Sequence, residues 1–194
     1  MMKVIGLAGR AGSGKSTVAR ILAQRSGIEW IDLDEVAWKT YSPGTDVYHR
    51  LIEAFGSRIL DASRHIDRRR LAQIALETPQ SRHKLNELVH PAVSLAIHDL
   101  VRDARQRKVD VLLVEGALLA SSPYVDRSIY DQMLWLETSD DTRVERLTAM
   151  NRRDHAARGH DIVPQGEFMT VSGEGSIEQV ADRMLRIIGS DSAR

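Results

Sequence analysis

Apolar residues recur along this chain in two rhythms. Short apolar runs closed by glycine or polar residues predict buried strands at Lys3–Ala8, Ile28–Asp32, Val109–Glu115, Gln132–Glu137 and Phe168–Ser172. Between them the apolar positions step by three and four, the spacing of one helix face. Val18, Ile21 and Leu22 mark a helix beginning near Lys15. Leu71, Ile74 and Ala75 mark another. Val93, Ala96, Ile97, Leu100 and Val101 mark a third, with Pro91 expected in its first turn, where a missing N–H does no harm. A helix after Ser139 carries Asp140 and Asp141 in its first turn, where the helix dipole favours them. The last helix opens on a capping box, Ser176 to Gln179, and its inner face is Ile177, Val180, Met184, Ile187 and Ile188.

Strands alternating with helices predict an α/β fold, a parallel five-stranded sheet flanked by helices. Residues about 45–106 are helical in period and longer than a simple crossover needs. They are expected to form an acceptor-binding insertion in a single domain. The core then comprises about 1–44, 107–150 and 167–194, and a lid covers about 151–166. Flexible Pro/Gly-rich segments are expected at Tyr41–Asp46 and Arg158–Glu167.

One turn in this pattern carries chemistry. Gly9–Thr17 reads GRAGSGKST and fits G-x-x-x-x-G-K-[ST], with a predicted strand before it and a predicted helix after it. Backbone N–H groups of Ala11, Gly12, Ser13 and Gly14, with the helix N-terminus, suit the phosphates of ATP. Lys15 should reach the β- and γ-phosphates, the Ser16 hydroxyl should ligate Mg²⁺, and Thr17 completes the ATP-binding set. The chain is thus expected to have the P-loop NTPase fold of the nucleotide-kinase type. Two carboxylates, Asp32 and Asp34, follow the second strand, at the sheet edge where ligands of α/β proteins sit. Asp34 either takes a proton from an acceptor hydroxyl or caps the next helix, and spacing alone leaves both open. Glu115, ending an apolar strand, is a candidate for water-mediated Mg²⁺ or acceptor contact, or simply a strand-end acid. Arg146, Arg152 and Arg153 flank the expected lid, where arginines neutralise charge on a transferred phosphoryl group. Gly159, Pro164 and Gly166 are its expected hinges or turns.

Charge narrows the partners. Lys and Arg total 27, as do Asp and Glu, so no global field points to nucleic acid or membrane. Hydrophobic residues at 42% can fill a real core. There is no cysteine, hence no disulfide or thiolate metal site. The apolar run at the start is too short for a signal peptide, and Val109–Ala120 contains Asp110 and Glu115. A cytoplasmic protein is expected. A guanine-specific N-K-x-D and a D-x-x-G switch are both missing, which argues against a regulatory GTPase.

In its string of motifs the chain resembles the dephospho-CoA kinases. IGLAGRAGSGKSTVA (Ile5–Ala19) is similar to the family's opening, and IDLDEVA (Ile31–Ala37) to its I-D-x-D motif. FGSRIL (Phe55–Leu60), IDRRRL (Ile66–Leu71) and LNELVHP (Leu85–Pro91) resemble its CoA-binding helices, in the family's order. The resemblance implies ATP and dephospho-CoA as substrates, phosphorylation of the ribose 3′-hydroxyl, and Asp34 as the base. It also implies acceptor contacts by Arg68 and His90. The residue-level alternatives are a solvated arginine and a capping or core histidine, and, for the whole chain, a P-loop kinase of another small hydroxyl compound or nucleotide. Three features depart from the family. Arg10 stands where glycine is usual, the family's strand-end Glu falls at Ser121, and the lid is short.

Overall fold

The computed structural model describes residues 1–151 and 163–190. In chain order the elements are β1 (Lys3–Ala8), α1 (Lys15–Leu22), β2 (Ile28–Asp32), α2 (Leu33–Thr40), α3 (Asp46–Phe55), α4 (Arg68–Ala75) and α5 (Pro79–Gln106). There follow β3 (Val111–Glu115), α6 (Leu118–Ser121), β4 (Gln132–Glu137), α7 (Asp140–Ala149), β5 (Met169–Ser172) and α8 (Ile177–Ser190). The five strands form one parallel sheet in the order β2-β3-β1-β4-β5. The chain leaves β1 for the far edge, returns through β3, and steps over β1 to β4. That reversal opens a crevice at the carboxyl ends of the strands around β1, the place where open α/β sheets bind ligands.

Alternation along the strands divides the core. Ile5, Leu7, Leu113, Leu134, Leu136 and Val171 point to one face and pack against Val18, Ala19 and Leu22 of α1 and Val180, Ala181, Met184 and Ile188 of α8. Val4, Leu112, Val114, Met133 and Trp135 fill the opposite face. Both faces are covered, so the strands read as continuous apolar runs rather than alternating ones. The capping box of α8 forms as expected: Ser176 N–H donates to Gln179 Oε1 at 3.0 Å, and Gln179 N–H to Ser176 Oγ at 3.3 Å. Ser139 Oγ likewise accepts from Thr142 N–H and starts α7.

Two compact units can be distinguished. The first contains Met1–Asp32, Val101–Pro123 and Arg127–Arg194, hence the whole sheet. The second contains Leu33–Leu100 and Tyr124–Asp126, and so includes α2, α3 and α4. Leu33, Val36, Leu51, Phe55, Ile59 and Leu71 within it are buried. The Tyr41–Asp46 turn within it is well pinned: Thr45 N–H and Oγ1 donate to the Ser42 carbonyl at 3.1 and 3.0 Å.

One expectation fails. Pro91 does not begin a helix but lies inside α5, which runs unbroken for 28 residues from Pro79. Proline there costs the one backbone hydrogen bond that its N–H would have made. Leu88 and Val89 before it, and Val93 and Ile97 after it, are all buried, and that shared apolar stripe carries the helix through.

Candidate active site

The loop after β1 is held open by two glycines. Gly12 (φ 82°) and Gly14 (φ 95°) take backbone angles that other residues rarely adopt. A Cβ on Gly12 would lie 2.8 Å from the Arg143 carbonyl oxygen, so the α7 backbone can approach only a glycine. Gly14 is the N-cap of α1, whose first turn is Lys15, Ser16 and Thr17. Ala11 to Gly14 thus form the loop itself, and Lys15 to Thr17 lie at a helix N-terminus, the combination that binds phosphate.

Glu115 converges on this loop from the end of β3. It is 4% exposed. Ser16 Oγ donates to its Oε2 at 3.0 Å, and Lys15 Nζ lies 4.0 Å from its Oε1. Lys15 Nζ also donates to the Arg10 carbonyl at 3.2 Å. The pairing of Leu7 with Glu115 between β1 and β3 brings the carboxylate to the P-loop, and Asp32 ends β2 in register with the same glutamate. Glu115 therefore stands beside Lys15 and Ser16. A carboxylate and a hydroxyl offered together are oxygen donors suited to Mg²⁺, which usually takes one or two carboxylates along with substrate phosphates.

Helix α7 braces the loop from the other side. Arg146 Nη1 donates to the Ser13 carbonyl at 3.1 Å and its Nη2 to the Gly173 carbonyl at 3.2 Å. Thr138 Oγ1 also donates to the Ser13 carbonyl, at 3.2 Å. Arg143, 2% exposed, donates from Nε to the Ala11 carbonyl at 2.8 Å. Its Nη1 meets Asp140 Oδ1 at 2.5 Å, and that carboxylate also pairs with Arg10 at 3.0 Å. Glu174 accepts from Ser139 N–H at 2.7 Å, and such hydrogen bonds hold its carboxyl below the usual range. The sequence reading included Arg146 but missed Arg143, Asp140 and Thr138. The i, i+3 spacing of Arg143 and Arg146 on α7 was the only available signal. Arg152 and Arg153, with Gly159 and most of the expected lid, lie outside the described residues.

The second unit gathers the remaining candidates. Asp34 is exposed in the first turn of α2. Arg68 opens α4, with its Cζ 3.4 Å from the centroid of the Trp38 ring. Tyr41 is buried; burial pushes its phenol up to about 12, the nearby Arg68 lowers it and Asp34 raises it. Asp34 and Arg68 thus share one neighbourhood around Tyr41. His90, on α5, lies edge-on to Tyr124 with ring centroids 6.5 Å apart, and burial lowers its pKa, favouring the neutral ring. Among the described residues no helix is long and apolar enough to cross a membrane, and no group of three or more His, Cys, Asp or Glu could hold a metal.

Comparison with known proteins gives this arrangement its relatives. A dephospho-CoA kinase from Geobacillus kaustophilus (strain HTA426) is 36% identical over 202 residues, covering 97% of this chain and 96% of the relative. The solved structure of TT1252 from Thermus thermophilus superposes with a TM-score of 0.76 at 24% identity, covering 100% of this chain and 99% of that one. A dephospho-CoA kinase from Campylobacter jejuni shares the fold, with a TM-score of 0.63 at 16% identity over 99% of this chain and 98% of its own. The family model described as dephospho-CoA kinase matches residues 3–165, from β1 through the P-loop, α2, α4 and α7. With near full-length similarity at that identity, the chain belongs to the dephospho-CoA kinase family.

Proposed function

We propose that the chain transfers the γ-phosphate of ATP to the ribose 3′-hydroxyl of dephospho-CoA, with Lys15 and Ser16 serving the donor and Asp34 the acceptor. The observation that carries the donor side is the convergence of Lys15 and Ser16 on Glu115 at the carboxyl ends of β1 and β3. The loop N–H groups cradle the phosphates, and the Lys15 ammonium offsets charge on the transferring group. Ser16 and Glu115 would hold Mg²⁺, which would offset the negative charge of the ATP phosphates.

On the acceptor side, the Asp34 carboxylate takes the proton of the 3′-hydroxyl. The ribose oxygen bonds to the γ-phosphorus while the bond to the β–γ bridging oxygen breaks, and ADP leaves. Support for Asp34 over Asp32 lies in its exposure beyond the strand end, whereas Asp32 closes β2 beside Glu115. Arg68, through its guanidinium fork, is suited to the pyrophosphate of dephospho-CoA. Binding the remote parts of the acceptor aligns the hydroxyl and raises the rate.

A coupled ADP-release assay tests the reading against dephospho-CoA, adenosine, shikimate and nucleoside monophosphates. kcat/KM for dephospho-CoA is expected to exceed that for adenosine by orders of magnitude. Comparable values would move the chain to kinases of another small hydroxyl compound.

A further inference from the structure

Helix α4 opens with three arginines in a row, and the structure gives them different duties. Arg70 is committed to the fold: its Nε lies 3.5 Å from Asp67 Oδ2, and its Nη1 donates to the Leu60 carbonyl. Asp67 caps the helix, accepting from the backbone N–H groups of Arg69 and Arg70 at 2.9 and 3.1 Å, and so sets the direction in which α4 starts. Arg68 takes the first helical position and lies over the ring of Trp38, on α2, at 3.4 Å from its centroid. At that separation the guanidinium carbon sits on the indole face, well inside the range of cation–π attraction. Tyr41, three residues after Trp38, is 8% exposed and packs the end of the same helix.

A guanidinium on an aromatic face uses only its π surface there, and its five N–H bonds point outward in the plane. Among the described residues, no hydrogen bond or ion pair engages the Arg68 head group. Its donor edge is therefore oriented without being consumed. An arginine without such a support would have to freeze several rotatable bonds when it gripped an anion.

We propose that Trp38 is the positioning residue for Arg68, its indole face holding the guanidinium flat and oriented so that the N–H edge meets the pyrophosphate of the acceptor already aligned. The proposal rests on the reading of Arg68 as the grip on that pyrophosphate. Trp38 acts through Arg68 and does not touch the reacting atoms.

Steady-state kinetics of the full chain and four variants test it: Trp38→Ala, Trp38→Phe, Arg68→Ala and the double variant Trp38→Ala/Arg68→Ala. Trp38→Ala is expected to raise KM for dephospho-CoA and lower kcat/KM roughly 5–30-fold. KM for ATP and the melting temperature should stay close to those of the parent, because Trp38 is 36% exposed. Trp38→Phe keeps an aromatic face and should recover part of the loss. In the Arg68→Ala background, Trp38→Ala should add nothing, since the interaction it supports is already gone. An equal loss with and without Arg68 would show that Trp38 acts on the substrate or the fold directly, and would overturn the proposal. A phenylalanine variant no better than alanine would overturn it as well. If Arg68→Ala alone leaves kcat/KM unchanged, the assignment of Arg68 falls and the proposal with it, an outcome read from a separate arm.

Discussion

Glu115 faces two P-loop side chains at once, and that places a charge requirement on the donor site. Lys15 and Glu115 are both nearly buried, with side chains 10% and 5% exposed, and their charged groups lie 4.0 Å apart. Lys15→Ala should lower kcat roughly 10²–10³-fold, the usual cost of losing one preorganised charge-stabilising group. Circular dichroism should show the variant folded; a folded variant with near-native turnover would remove the P-loop from the mechanism. The aspartate that ends β2 and the one two residues on differ in kind. Asp34→Asn is expected to lower kcat by ~10²–10⁴ with little change in ATP binding, as removal of a general base does. Asp32→Asn should do less, and the reverse order in single-turnover rates would exchange their roles. Tyr41 gives a pH signature. The folded chain holds this proton up to about 12, whereas the unfolded chain releases it near 10. Between those values the unfolded state binds fewer protons, so stability is full below pH 10 and falls as pH rises through the window. Urea melts on either side of pH 10 should show a smaller alkaline loss in Tyr41→Phe than in the parent.

At the scale of elements, the P-loop is shaped as much by α7 as by its own glycines. Arg143, Arg146 and Thr138 donate to the carbonyls of Ala11 and Ser13, while the Ser13 N–H donates within the loop to the Arg10 carbonyl at 3.1 Å. Gly12→Ala sets a Cβ against the Arg143 carbonyl at 2.8 Å and forces alanine to φ 82°. The expected cost is about 1–3 kcal/mol, a fall in Tm of roughly 2–12 °C for a chain of this size. A raised KM for ATP should accompany it. A thermal melt that matches the parent would mean that α7 gives way and does not fix the loop. Helix α5 teaches the opposite lesson about local signals. Proline reads as a helix start, yet Pro91 sits mid-helix because the apolar stripe on either side of it is buried in one continuous face.

For the whole molecule, strand order decides which distant residues meet. β1 lies between β3 and β4, so the loop after β1 is met by Glu115 from one neighbour and by the turn and helix after β4 from the other. Some of this was legible in the sequence. β1, β2 and β4 were bounded correctly, and the starts of α1 and α7, the cap of α8, and the P-loop itself could be read, because each is encoded within a few adjacent residues. A strand is a short apolar run, a cap is a side chain three positions from its partner, and a phosphate loop is a fixed spacing of glycines before a lysine. The partners of that loop were not legible in the same way. Ser16 and Glu115 are 99 residues apart, and Arg143 and Ala11 are 132 apart. Within the arginine run Arg68–Arg70 only the family resemblance singled out Arg68; packing sets Arg70 on Leu60 and Arg68 on Trp38. The sequence by itself determined the strands and the donor loop, since these follow from local period and backbone freedom. Only the tertiary structure decided which charges face one another, since that depends on strand order and register, which no local pattern carries.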